Sequence, residues 1–404
     1  MLQTKKFALI LTLGGVFTAA PALALVTNLS DAPIDFLFSN PGARANAMGG
    51  AFIGLADDAT AAYTNPAGLT ILTKPETSIE YKTTRQTMRL YRMDGSPAEV
   101  ESSTKGVSFL SFVHPGEKVS LALYRHQFIN MKLDDSVLNL DPSMGTKLVT
   151  NLDLKGVTYG LGMGVKVAKN LSLGGSVGFS QLDYKHTVDG NATINSAMQE
   201  ISTVNDTASA EQYTLSVLYT PIEELGVGLV YRYGPEFNTI YRDAIGTRLQ
   251  NTLDLPDMYG IGTSYRFANG LTLAADVNRI RYSDLLKNYM YYDPNSMTTE
   301  HYFHNNGEFV VDDTTEIHAG FEYVFSLKQT PLALRGGYYR RPDHSIRYAG
   351  NAISQYKNTR KAGVDDNIYS LGVGAVFSDN LQLDLSAISG DSIKEYMFSL
   401  VYRM

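Results

Sequence analysis

Residues 315–325 read TEIHAGFEYVF, and the order of their side chains decides the architecture. Thr315, Ile317, Ala319, Phe321, Tyr323 and Phe325 share one face of an extended chain, while Glu316, His318, Gly320 and Glu322 share the other. Successive strand side chains point to opposite sides, so such a segment has one apolar wall and one polar or empty wall. Tyr369, Leu371, Val373, Ala375 and Phe377 alternate in the same way with Ser370, Gly372 and Gly374. So do Val157, Tyr159, Leu161, Met163, Val165 and Val167 with Thr158, Gly160, Gly162, Gly164 and Lys166. Alternation runs through the chain from about residue 76 onward.

A soluble sandwich would show the same period, and the connections separate the two. Short turns appear at Pro115-Gly116-Glu117, Lys169-Asn170, Pro221 to Glu224, Asn269-Gly270, Leu327 to Thr330 and Asp379-Asn380. Between them fall long polar stretches at Asn130 to Asn151, Asp189 to Ala208, Pro235 to Pro256, Asp284 to Asp313 and Arg341 to Asp366, read as loops. Long structureless loops are rare in compact soluble domains. Outer-membrane barrels combine short periplasmic turns with long external loops and an even number of strands. The segments add up to about fourteen strands. Tyr219, Phe267, Phe325 and Phe377 fall on the apolar face beside a short turn, where a periplasmic aromatic girdle belongs. The predicted fold class is therefore all-β: a transmembrane antiparallel up-and-down barrel of about 14 strands.

The chain's beginning fits export. Lys5 and Lys6 precede an uncharged, mostly apolar stretch from Phe7 to Phe17 and small residues ending in Ala22-Leu23-Ala24, which reads as a secretory signal over residues 1–24. That stretch is too short to cross a bilayer as a helix, and no later stretch is long and apolar enough. Removing it takes away both lysines and no acid, so the net charge of -7 becomes -7 - 2 = -9. Strong nucleic-acid binding is excluded on that balance. The composition holds 0 Cys and 0 Trp, so disulfides contribute nothing and any girdle must use Tyr and Phe.

Residues 25–74 carry no sustained alternation, and the barrel proper is expected over residues 75–404. Closely spaced Gly49, Gly50, Gly54 and Gly68, with Pro41 and Pro66, point to a compact segment of tight turns, a hatch able to occupy the lumen. Pro66 has no backbone donor and biases Asn65 to an extended conformation, which sets a fixed kink at Asn65-Pro66-Ala67. Asp57 and Asp58 read as turn or capping groups. Arg232, Arg266, Arg335, Glu316 and Glu322 face the lumen and are candidates for an ion-pair network bracing the hatch; one of the arginines could instead hold a ligand carboxylate.

Residues 40–69, NPGARANAMGGAFIGLADDATAAYTNPAGL, resemble the N-terminal hatch of the long-chain fatty-acid transporter family of outer-membrane proteins, the FadL and TodX-like group. TPIEELGVGLVYR at 220–232, LPDMYGIGTSYRFANGLTLAADVNRIRYS at 255–283 and PLALRGGYYRRPD at 331–343 resemble barrel blocks of the same family. The resemblance implies a 14-stranded barrel with an N-terminal hatch in the outer membrane of a Gram-negative bacterium. It implies passive inward transport of long-chain fatty acids or hydrocarbons, with lateral release beside a kinked strand and without enzymatic activity or cofactors. Gating residues carried by it are Asn65, Pro66, Ala67, Gly49, Gly50, Asp57 and Asp58. Expected partners are the hydrophobic ligand, outer-membrane lipid and lipopolysaccharide, and the barrel-assembly machinery, for which Tyr396, Phe398, Leu400 and Tyr402 supply an alternating last strand.

Other readings stay beside this one. A barrel of this size could escort secreted cargo. Gly174-Gly175-Ser176-Val177-Gly178 fits the G-x-S-x-G of a hydrolase, which would make the chain an outer-membrane lipase, but that motif needs a strand-to-helix turn. His301 and His304 with Glu300 and Glu308, or the pairs Asp57-Asp58 and Asp365-Asp366, could take a metal, although exposed loop polarity explains them more simply. Arg340, Arg341, Arg347, Arg360 and Lys361 fall in one predicted external loop, where arginines can pair with lipid phosphates or be merely solvated.

Overall fold

The computed structural model describes residues 39–92, 94–141, 146–191, 199–242, 248–292 and 302–404. The expected signal peptide, the hatch before residue 39, and Glu300 and His301 lie outside the described residues. No described helix is long and apolar enough to cross a membrane.

Fourteen strands form the wall. They are β1 (Glu76–Tyr91), β2 (Pro97–His114), β3 (Val119–Asp141), β4 (Thr146–Ala168), β5 (Leu171–Gly190), β6 (Gln199–Ile222) and β7 (Leu225–Tyr233). They continue with β8 (Met258–Arg266), β9 (Leu271–Ile280), β10 (Thr314–Leu327), β11 (Thr330–Arg341), β12 (Asp366–Ser378), β13 (Leu381–Ser389) and β14 (Ile393–Arg403). Each is antiparallel to the next, and β14 pairs back onto β1 from Glu76↔Arg403 to Gln86↔Ile393, which closes the barrel. A closed sheet leaves no edge in the bilayer, the condition for strands to span lipid at all.

The expected faces are those observed. Tyr219, Phe267 and Phe377 are exposed on the outside beside the short turns, with Phe325 half-buried. Toward the other end a second belt includes Tyr231 and Tyr259, with ring centroids 4.9 Å apart, and Tyr338 and Tyr369, 5.4 Å apart. The long loops are where the sequence reading needs correction. Residues 130–141 and 146–151 are strand, continuing the β3–β4 ladder to Asp141↔Thr146. β5 and β6 run on to Gly190↔Gln199, and residues 235–256 hold a hairpin, Glu236–Arg242 on Arg248–Asp254. Above the bilayer the sense of alternation inverts, with Lys132, Asp134, Asp153 and Lys155 exposed on the outside and Met131, Leu133, Leu152 and Leu154 buried inside. The last two long connections fold against each other. Phe309–Val310 pairs with Arg347–Tyr348, and Tyr289, Tyr291, Phe309, Tyr348, Ile353 and Tyr356 form a buried aromatic core outside the wall.

Candidate functional site

The chain ahead of β1 fills the lower lumen. Between residues 41 and 69 only Arg44 and Asp57 are partly exposed; the rest are buried. Helix α1 (Ala43–Ala47) ends in Gly49 and Gly50, whose φ of 65° and 76° reverse the chain in a conformation that glycine adopts without strain. After α2 (Ala61–Thr64), Asn65 takes an extended φ of -152° and its side chain accepts a hydrogen bond from Ala67 N, capping the 3₁₀ turn Pro66–Ile71. Asn65 Nδ2 donates to Ile53 O at 2.8 Å and to Val217 O of β6 at 3.4 Å, and Ala67 N donates to Ser216 Oγ at 3.0 Å. Asn65 and Ala67 thus tie two turns of the segment to each other and to the wall, with Pro66 fixing the bend between them.

The empty faces of the wall strands are the bed for this segment. A Cβ on Gly174 would lie 2.1 Å from Ala67 N, one on Gly320 2.2 Å from Met48 O, and one on Gly337 2.0 Å from Gly49 N. Only hydrogen fits at these positions, because hatch backbone occupies the space of the missing side chains. Wall carboxylates supply further anchors. Phe52 N and Ile53 N donate to Asp276 Oδ2 at 2.7 and 2.9 Å, Gly42 N to Glu80 at 2.7 Å, and Ala59 N to Glu76 at 2.6 Å.

Charge completes the grip. Arg44 Nη1 donates to Asp57 at 2.6 Å and Arg44 Nε to Glu322 at 2.8 Å; Arg335 joins Glu322 and Asp384, both at 2.7 Å. Arg266 reaches Asp57 at 2.8 Å. Asp58 holds the turn its sequence suggested, accepting from Thr60 N and Thr60 Oγ1 at 2.9 and 2.5 Å. Burial pushes its carboxyl above the usual range, with Arg44 opposing. Asp57 is no cap; it is the hinge between Arg44 and Arg266. Arg232 lies over the Tyr63 ring, 4.0 Å from its centroid, and donates to Tyr63 O at 2.9 Å. Glu316 pairs with His318, whose Nδ1 meets Gly49 O at 2.7 Å. All five lumen-facing candidates therefore point inward, and Arg266 and Arg335 are committed to carboxylates.

Toward the external end the lining changes character. Ile129, Met131, Leu133, Leu152, Leu154, Leu182, Tyr184, Phe237 and Leu253 form one buried apolar cluster that also takes in Met88. A cavity of about 260 Å³ between the external loops is lined by the apolar Met88, Leu253 and Leu285 and by the charged Arg341, Asp343 and Lys361. This cluster went unnoticed in the sequence because residues 130–151 and 235–256 read as loops and because a bulge changes the phase of alternation in β3. In β3, Leu121 and Leu123 face out, but past the register shift between Gln127 and Ile129 the odd residues Ile129, Met131 and Leu133 face in. In β2 the shift leaves Ser108 and Phe109 both buried. A bulge inserts one residue and so moves every later side chain to the other face.

The same two strands part company there. The β2–β3 ladder runs from His114↔Leu121 only to Phe109↔His126, while β2 stays paired to β1 and β3 to β4 far beyond. Side chains bridge the seam instead: Arg125 Nη1 donates to Val107 O at 2.8 Å, Thr104 Oγ1 to Asn130 O at 3.2 Å, and Lys132 N to Ser102 Oγ at 2.9 Å.

Ser176 lies inside the continuous strand β5, hydrogen-bonded to the Tyr124 hydroxyl at 3.4 Å, so the strand-to-helix elbow of a hydrolase is not formed. No cluster of metal-ligating side chains occurs among the described residues. Of the basic residues expected in one loop, Arg340 and Arg341 end strand β11; Arg340 pairs with Asp365, Arg341 with Asp366 at 3.4 Å, and Arg347 of the loop with Asp312 at 2.5 Å.

Comparison with known proteins places this geometry. The family described as outer membrane protein transport protein (OMPP1/FadL/TodX) matches residues 37–390. The toluene transporter TodX of P. putida superposes with a TM-score of 0.60 at 14% identity, covering 91% of this chain and 99% of that one. A Pseudomonas aeruginosa FadL homologue gives 0.63 at 14% identity, covering 92% and 100%, and the Ralstonia pickettii toluene transporter TbuX gives 0.60 at 13%, covering 91% and 99%. At such identities the likeness is one of fold. No curated protein sequence matches the chain.

Proposed function

The chain belongs to the OMPP1/FadL/TodX family of outer membrane transport proteins, and from that premise we propose that it conducts long-chain fatty acids or hydrocarbons inward by passive diffusion, releasing them sideways through the β2–β3 seam. The observation that carries this reading is the apolar upper lumen ending beside a seam without a backbone ladder. A hydrophobic solute would enter at the cavity between the external loops, cross the cluster around Leu154 and Phe237, and leave above Phe109 and His126. Each methylene kept out of water is worth about 0.8 kcal/mol, so a route from apolar lining to bilayer avoids the cost that a water-filled pore would impose. The seam suits such an exit because opening it breaks three side-chain bridges and no backbone ladder.

In this reading Asn65, Pro66 and Ala67, with Gly49, Gly50, Asp57 and Asp58, hold the hatch that keeps the lower lumen shut to polar solutes. Arg232, which meets Tyr63 and Met258 rather than a carboxylate, is the arginine best placed to meet a ligand carboxylate; toluene, which TodX and TbuX are named for, would need no such partner. The test is uptake of a radiolabelled long-chain fatty acid by cells lacking their own transporter, with the chain intact or with residues 65–67 replaced by glycine. Uptake that requires the protein, with entry of a small hydrophilic dye only in the glycine variant, is the expected result. No uptake by a barrel shown to be assembled by heat-modifiable gel migration would overturn fatty-acid transport and turn attention to hydrocarbons and to cargo escort.

A further inference from the structure

We propose that the lipid-facing wall beside the seam carries a second site, a groove that receives the long apolar chain of an anionic amphiphile as it leaves the barrel; this rests on the lateral-release reading above. The groove measures about 910 Å³ and crosses the outer faces of β1 to β6. Its floor is two neighbouring register rows. Phe112, Leu123, Leu161, Val177 and Tyr213 stand opposite one another in the first. Leu110, Arg125, Tyr159, Phe179 and Glu211 do so in the second. Behind this floor the inner wall is glycine: a Cβ on Gly160 would meet the Tyr124 ring at 2.1 Å, and one on Gly162 would lie 3.3 Å from Ala62 O of the hatch.

Three features favour an emerging chain over a resident lipid. The second row starts at the seam, since Leu110↔Arg125 adjoins Phe109↔His126, the last pair of the ladder, and Arg125 itself reaches across to Val107 O. The rows run across the strands. At a strand tilt of about 40° they lie about 50° from the barrel axis, so a lipid chain standing along that axis crosses the groove rather than filling it. The ends differ in charge, with Arg125 at the seam and Glu211 at the far side, which sets an anionic head at the seam and its tail toward Tyr213.

The chain has 0 Trp, so a single introduced tryptophan reports its own surroundings. Leu161→Trp places one in the groove, and Leu371→Trp places one on the β12 wall, where Leu371 is 69% exposed. In lipid vesicles, dibromostearic acid added from outside is expected to half-quench the Leu161→Trp barrel at a concentration about tenfold lower than the Leu371→Trp barrel. Adding Arg125→Gln should remove that advantage, and a brominated phospholipid should quench both barrels alike. Equal quenching of the two by dibromostearic acid would overturn the site, and a phospholipid showing the same preference would assign the groove to resident lipid. Radiolabelled fatty-acid uptake by the same barrels separates the outcomes: equal quenching with uptake intact removes the groove alone, whereas lost uptake in the unsubstituted protein removes the transport reading.

Discussion

Below the pair Phe109↔His126 the inner wall is serine, glycine and paired charge; above it the wall is leucine, methionine and aromatic rings. Both halves belong to the same strands, and β4 shows the change within one segment: Gly162 and Gly164 lie against the hatch, while Leu152 and Leu154 stand in the apolar cluster. The lower half is complementary to a polypeptide backbone, which needs close approach and hydrogen-bond partners. The upper half is lined on β3 to β5 chiefly by apolar side chains, with Ser102, His186 and Arg341 among its buried polar groups. The lumen is therefore two solvents in series, and the β2–β3 seam opens where the second begins.

The largest expected effect comes from denying the upper half its outlet. Ser102 and Met131 both face inward on either side of the seam, and Ser102 Oγ already accepts from Lys132 N. With 0 Cys in the chain, Ser102→Cys with Met131→Cys can form only the intended bridge. Oxidation should reduce fatty-acid uptake to the level of cells without the protein, and dithiothreitol should restore it. Full uptake through a bridged barrel would place the outlet elsewhere, through the hatch.

How much of this contrast could be read in the sequence follows from what alternation records. Alternation reports a difference between two faces, so it located the strands where lipid lies outside and hatch or polar lining lies inside. It failed at 130–141, where a strand leaves the bilayer and the pattern inverts, with Lys132 and Asp134 facing water and Met131 and Leu133 facing the lumen. At Phe128 one bulged residue turns Ile129 and Met131 into lumen lining, although Leu121 and Leu123, of the same parity, face out. The glycine faces were visible as empty walls, but nothing in spacing alone says what fills an emptiness. Asn65-Pro66-Ala67 was legible as a kink through Pro66; its partners Ile53, Ser216 and Val217 come together only in the closed barrel. The seam has no local signature, because it consists of a ladder that stops.

A smaller effect separates the faces of the lower wall. Gly174 and Gly175 are neighbours in β5, one against the hatch and one on the outside, where a Cβ would lie 3.3 Å from Thr214 O. Gly174→Val forces the side chain into Ala67 and should raise entry of a small hydrophilic dye several-fold, with the barrel still heat-modifiable. Gly175→Val should leave dye entry unchanged, because its side chain meets lipid. Equal leakage from the two would mean that the hatch does not depend on close approach for its seal.

The smallest effect tests whether the upper lining contributes affinity or only excludes water. Leu154 is 0% exposed within the apolar cluster, and Met163, further along β4, is 46% exposed on the lipid side. Leu154→Ala removes most of an apolar side chain from the proposed path, a loss of about 1.5 kcal/mol and hence about tenfold in the binding of a long-chain fatty acid, measured by equilibrium dialysis in detergent. Met163→Ala exchanges one hydrocarbon contact for another and should change binding less than twofold, about 0.4 kcal/mol. If the two losses were equal, ligand would be sensing the stability of the strand. If Leu154→Ala lost nothing while the bridged seam still blocked uptake, solutes would pass the upper lumen without resting there, and its leucines and methionines would serve to keep water out of the seam.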